Sequence, residues 1–186
     1  QYGDINFSLD AEVSEIIAPN NDKNFQRVNP ICRNPVVVIR NRGASTLTSM
    51  DIKYGVEGYT SHTYKWTGSL GFLEEETVEL YHIDFTGAQQ SPVFFAEVKN
   101  PNGGNDEYTV NDIKRSAFDI PPVYTSNFCI WFQTNASGSE SSYELTNGDG
   151  VAIFSRNNMS SNTYYKDTFQ LDTGCYILKV YDSGGD

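Results

Sequence analysis

The side chains of this chain that could do chemistry are two histidines, three cysteines and 24 carboxylates. Neither His62 nor His82 belongs to a His-Glu-x-x-His run, the spacing that sets two zinc ligands on one helix face. His62 lies in GYTSHTY, read as a turn between strands, and His82 lies just after a strand. Both read as surface or loop histidines. No Gly-x-Ser-x-Gly elbow presents a hydrolase serine. No glycine-rich loop runs from a strand into a helix to cradle phosphate. The Asn-Gly and Gly-Gly pairs are turn chemistry instead. Cys129 and Cys175 fall inside strand patterns, where a thiol is usually buried or bridged. With Cys32 they allow one disulfide, in any of three pairings. Two carboxylates suffice for glycoside hydrolysis, but they leave no sequence spacing to recognise.

Binding chemistry is easier to find. Tyr occurs 12 times, and aromatic faces stack on sugar rings or anchor protein partners. Trp131, Tyr164 and Tyr165 are the expected stacking platform, with Tyr181 as a fourth candidate. The competing reading places such aromatics in the core. Tyr164 and Tyr165 stand in a polar stretch read as a loop. The chain closes on GCYILKVYDSGGD, where Asp182 and Asp186 bracket a glycine-rich turn. Calcium takes about six to eight oxygens, and such a turn offers carboxylates and carbonyls together. The same residues also make a plain turn that needs no metal. Asn135-Ala136-Ser137 and Asn158-Met159-Ser160 are glycosylation sequons that mark loops.

Strands must position these residues. In MDIKYGV, Met50, Ile52, Tyr54 and Val56 share one face, while Asp51 and Lys53 share the other. That period of two marks a half-buried strand. PVVVIR, HTYKWTGSL, EEETVEL and SPVFFAEV continue the rhythm up to a turn-rich loop over residues 100–113. NFCIWFQT restarts it, with Phe128, Ile130 and Phe132 facing one way and Cys129 and Trp131 the other. SYELT, VAIFS, DTFQL and CYILKVY follow. Pro121-Pro122 reads as a stiff linker, because such a pair cannot join a central strand. The expected fold is all-β, two tandem β-sandwich (Ig-like or jelly-roll-like) domains: 1–120 and 121–186, the second truncated at its C-terminus.

The formal charge of −11 repels phosphate backbones and anionic lipid heads, so nucleic acid and membrane are poor partners. No apolar run approaches the ~20 residues that span a bilayer. Low Lys, many Tyr, Asn, Ser and Thr, and many loops lean towards a secreted, extracellular protein. A start at Gln1 in place of Met reads as a processed or excised piece.

The run NPVVVIRNRGASTLTSMDIKYGV, followed by HTYKWTGSL, resembles the immunoglobulin-like modules of secreted Bacteroidetes proteins. VKNPNGGNDEYTVND is similar to the stretch that closes them. SESSYELTNGDGVAI and TGCYILKVYDSGGD resemble a small module that follows. The likeness covers most of residues 28–186. It departs from the pattern at Tyr143, where Trp is usual, at Asn135, where Asp is common, and after Asp186, where a Gly is expected. The resemblance implies a non-catalytic accessory region of a secreted hydrolase, often a metallopeptidase. It implies a protein or glycan surface and the catalytic domain of the same polypeptide as partners. It adds Glu140 to Asp182 and Asp186 as ligands of a structural calcium ion. It also implies a missing partner for Cys175. A stand-alone carbohydrate-binding or adhesin module is the rival reading.

Overall fold

A computed structural model describes residues 6–22, 34–85, 87–88, 92–120 and 123–185. Cys32, the Pro121-Pro122 pair and Asp186 lie outside the described residues. The protein is all-β, built from antiparallel sheets. The chain divides into two compact units, residues 1–121 and 122–186.

In the first unit β1 (Ala11–Ala18), β2 (Val36–Asn41) and β5 (Glu75–Glu79) form one sheet in the order β1-β2-β5. The strands β3 (Leu47–Val56), β4 (His62–Leu70), β6 (Val93–Lys99) and β7 (Ile113–Ala117) form the other, in the order β4-β3-β6-β7. Alternation sends one face of each strand inward. Val13, Ile16, Val37, Ile39 and Val78 from the first sheet meet Ile52, Tyr54, Trp66, Phe94 and Val98 from the second in one buried cluster. The period-two reading of 50–56 holds, since Met50, Ile52, Tyr54 and Val56 are all buried. His62 is a correction: it opens β4 rather than sitting in a turn. Two strands were illegible. AEVSEIIA, β1, carries irregular pairing after Val13 and after Ile16, which breaks the alternation a reader looks for. β7 hides behind the turn-rich loop.

Asn41 organises the turn after β2. Buried almost completely, it donates from Nδ2 to the carbonyls of Ser45 and Leu70, both at 2.8 Å. Its Oδ1 accepts the Gly43 N–H at 2.9 Å. Gly43 is required there, because a Cβ would meet Asp10 N and Ser8 O at 2.7 Å. Across the sheet, Asn102 takes a left-handed φ of 49° and accepts the Thr48 N–H at 2.7 Å.

The second unit is thinner. β9 (Ser141–Asn147) lies between β10 (Ala152–Arg156) and the edge strand β12 (Tyr176–Asp182). β8 (Asn127–Gln133) and β11 (Tyr164–Gln170) make a two-stranded ribbon. Phe132 packs on Tyr143 and Phe154 on Phe169, with ring centroids 5.4 and 5.1 Å apart, so ribbon and sheet share a core. Alternation along CYILKVY puts Tyr176, Leu178 and Val180 on one face, the face expected to meet that core. Their register does place Leu178 opposite Leu145 and Val180 opposite Tyr143. Both nonetheless remain exposed, because β12 is an edge strand.

Asn41→Ala should destabilise the first unit by about 1–3 kcal/mol, because buried carbonyls and an N–H lose their partner. Urea unfolding followed through Trp66, with Trp131 replaced by Phe, measures it. A loss below ~0.5 kcal/mol, the range of ordinary surface changes, would contradict this role for Asn41.

Candidate functional site

The aromatic candidates separate by strand parity. Tyr164 and Tyr165 are the first two residues of β11, not part of a loop, so they point to opposite faces. Tyr165 points inward. It packs against the core formed by Ile130, Tyr143 and Met159, and its hydroxyl accepts the Ser160 N–H at 2.7 Å. The Arg156 guanidinium lies 4.9 Å from its ring centroid. Its ring is therefore committed to the core. Tyr164 points outward and is 71% exposed.

Trp131 shares the outer face and is 69% exposed. The register pairs Trp131 with Lys166 and Gln133 with Tyr164, so Tyr164 sits diagonal to the indole. Diagonal neighbours lie about 7–8 Å apart, within reach of aromatic rings. Lys166 was not singled out in the sequence, yet its Nζ stands 4.8 Å from the Trp131 ring centroid. Pairing of 131 with 166 was the signal that would have found it. The inner face of the ribbon is fixed by Asp167. Its carboxylate accepts from Arg156 Nε at 2.8 Å, from Arg156 Nη2 and from the Tyr143 hydroxyl. The guanidinium holds Asp167 below the usual carboxylate range. The same bonds push the arginine up, while burial raises Tyr143.

Tyr181, Glu140 and Asp182 come together elsewhere in this unit. They line an open hollow of about 550 Å³, along with Ser183, Asn157 and Asn158. Glu140 ends a 3-10 turn, Gly138–Glu140, whose Gly138 is obligatory: a Cβ would meet Ser160 O at 2.4 Å. Ser183 donates its N–H and its hydroxyl to the Glu140 carbonyl, at 3.0 and 3.2 Å. Asp182 Oδ1 accepts the N–H groups of Gly184 and Gly185 at 2.9 and 3.3 Å. The Asp-Ser-Gly-Gly turn is thus closed by its own aspartate. Among the described residues no group of three or more His, Cys, Asp or Glu is placed to hold a metal ion. Cys129 and Cys175 are not bridged to each other. Among the described residues no helix is long and apolar enough to cross a membrane.

An acidic cluster in the first unit escaped sequence reading, since its members come from distant segments. Asp106 Oδ2 accepts the Ala11 N–H at 2.8 Å, and buried Asp10 accepts from Asn111 Nδ2 at 2.8 Å. Asp112 stands among them with a buried Oδ1 that no group among the described residues bonds. Burial, then repulsion from Asp106, Asp10 and Glu97, pushes Asp112 up to about 6, with Lys99 opposing. Burial also raises Asp10.

No protein-family model matches the chain, and comparison with curated proteins and with solved structures finds no match.

Two outcomes follow from these side chains. Arg156→Ala should destabilise the second unit by about 1.5–3 kcal/mol, the worth of charge-assisted bonds left unmade. Chemical denaturation read by Trp131 emission checks this, and a loss under ~0.5 kcal/mol would refute it. For Asp112 the folded value lies above the ordinary 3.8, so protonation favours the folded form. Its stabilising effect is complete below 3.8 and is lost as pH rises through about 6. Asp112→Asn should therefore raise the melting temperature at pH 7.5 more than at pH 4. An equal shift at both pH values would refute the linkage.

Proposed function

We propose that the chain is a non-catalytic binding module. On this reading it is the accessory region of a secreted bacterial hydrolase, a peptidase, and it holds a protein or glycan surface near the catalytic domain. The observation that carries the reading is the pair Trp131 and Tyr164, exposed by 69% and 71% on one face of the ribbon. Large aromatics left in water on a hydrogen-bonded ribbon release that water favourably when a sugar ring or an apolar side chain covers their faces. Their strand positions keep them preorganised, which lowers the ordering cost of binding. The resemblance read from the sequence over most of residues 28–186, to accessory modules of secreted hydrolases, points the same way.

The expected result is capture of a polysaccharide or protein by the full chain. Trp131→Ala with Tyr164→Ala should weaken that capture at least tenfold and leave the melting temperature within a degree or two. Both side chains face solvent, so their loss removes little packing. Capture unaffected by the double substitution would remove the platform from the function.

A further inference from the structure

We propose that the Trp131–Tyr164 face selects a glycan carrying isolated uronic acid residues, with Lys166 binding the sugar carboxylate. This rests on the binding-module reading and names its substrate class. Alternation and register place eight side chains on the outer face of the ribbon. They are Asn127, Cys129, Trp131 and Gln133 from β8, and Tyr164, Lys166, Thr168 and Gln170 from β11. None is acidic, in a chain of 24 acidic and 13 basic residues. The strand's one acid, Asp167, is turned inward and neutralised by Arg156. Lys166 is the single cation of the face. Among the described residues no carboxylate pairs with it, and its ammonium rests 4.8 Å from the Trp131 ring centroid.

That contact sets the geometry of a ligand. The ammonium over the indole can swing aside on its flexible stem and still reach the edge of the ring when a ligand takes the face. A pyranose stacked on the indole and reaching Tyr164 therefore carries its ring substituents past the ammonium. A hydroxyl accepts one hydrogen bond from the ammonium there. A carboxylate accepts one that is charged on both sides, and it adds ion-pair attraction at close range. Gln133 and Gln170 supply neutral donors and acceptors along the same face. The charge of the whole chain restricts the choice further. A field of −11 opposes a continuous polyanion at long range. One lysine instead fits one carboxylate in an otherwise neutral polymer.

The probe is glucuronoxylan, a neutral backbone with scattered uronic acids, compared with the same polymer after reduction of its carboxyl groups. Affinity electrophoresis with the full chain reads both. Glucuronoxylan should bind about tenfold tighter, and the preference should shrink with added salt. Lys166→Met should erase the preference, Lys166→Arg should keep it, and Trp131→Ala should abolish binding to both polymers. Equal binding of the two polymers, or a preference that survives Lys166→Met, would overturn the acid specificity and leave the binding module standing. Tighter binding to polygalacturonate than to glucuronoxylan would overturn the restriction to isolated acids. Silence on every polysaccharide would overturn this inference, and a protein captured through Trp131 in the same preparation would show that the module itself still binds.

Discussion

The inward carboxylate of Asp167 is the constraint on which the second unit depends. It joins β11 to β10 through Arg156 and to β9 through the Tyr143 hydroxyl, so one group links ribbon and sheet. A half-buried acid without these donors would be unfavourable, so the observed register of β11 is favoured. Sheet parity does the rest. With Asp167 inside, Tyr165 and Phe169 are inside as well, while Tyr164, Lys166 and Thr168 are outside. The exposed face is therefore a consequence of the buried one. A slip of one residue would bury Lys166 and move both tyrosines to the wrong sides.

The two units reach stability by different balances. The first buries a broad apolar cluster contributed by two sheets, and it tolerates Asp10 and Asp112 in an acidic corner. Deep in the second lie Ile130, Tyr143, Leu145 and Met159, with Phe128, Phe132, Phe154 and Phe169 partly covered around that core. Small modules bury a smaller share of their surface and need other ties. Here the ties are the Arg156–Asp167–Tyr143 bonds and Thr134, whose hydroxyl donates to the Ser160 carbonyl at 2.7 Å.

What could be read from the sequence follows from the same physics. Alternating strands such as 50–56 and 127–133 declared their faces, because each has one wet side. Hence Trp131 was read on the face opposite Phe128, Ile130 and Phe132, and that face is the exposed one. Tyr164 and Tyr165 were not legible: a polar run with neighbouring aromatics fits a loop as well as a strand end. Only the partner strand decides that Tyr165 belongs inside. Glu140 and Asp182 do share one hollow, but the turn uses Asp182 for its own N–H groups. The acidic corner of the first unit joins residues about a hundred positions apart, and no local pattern encodes that.

Charge distribution closes the argument. Carboxylates dominate the chain, and several crowd together where they repel, as at Asp10, Asp106 and Asp112. Against that background a face with no acid is a physical asymmetry. Random placement of 24 acids in 186 residues would put one or more among eight outward positions about two times in three. Absence of acid alone therefore carries little weight. Its coincidence with two exposed aromatics and an ammonium resting on one of them is what gives the face a direction of recognition. Aromatic rings accept a sugar face without regard to charge. The lysine then makes the difference between one sugar and another, because it is the only group there whose interaction changes with the ligand's charge.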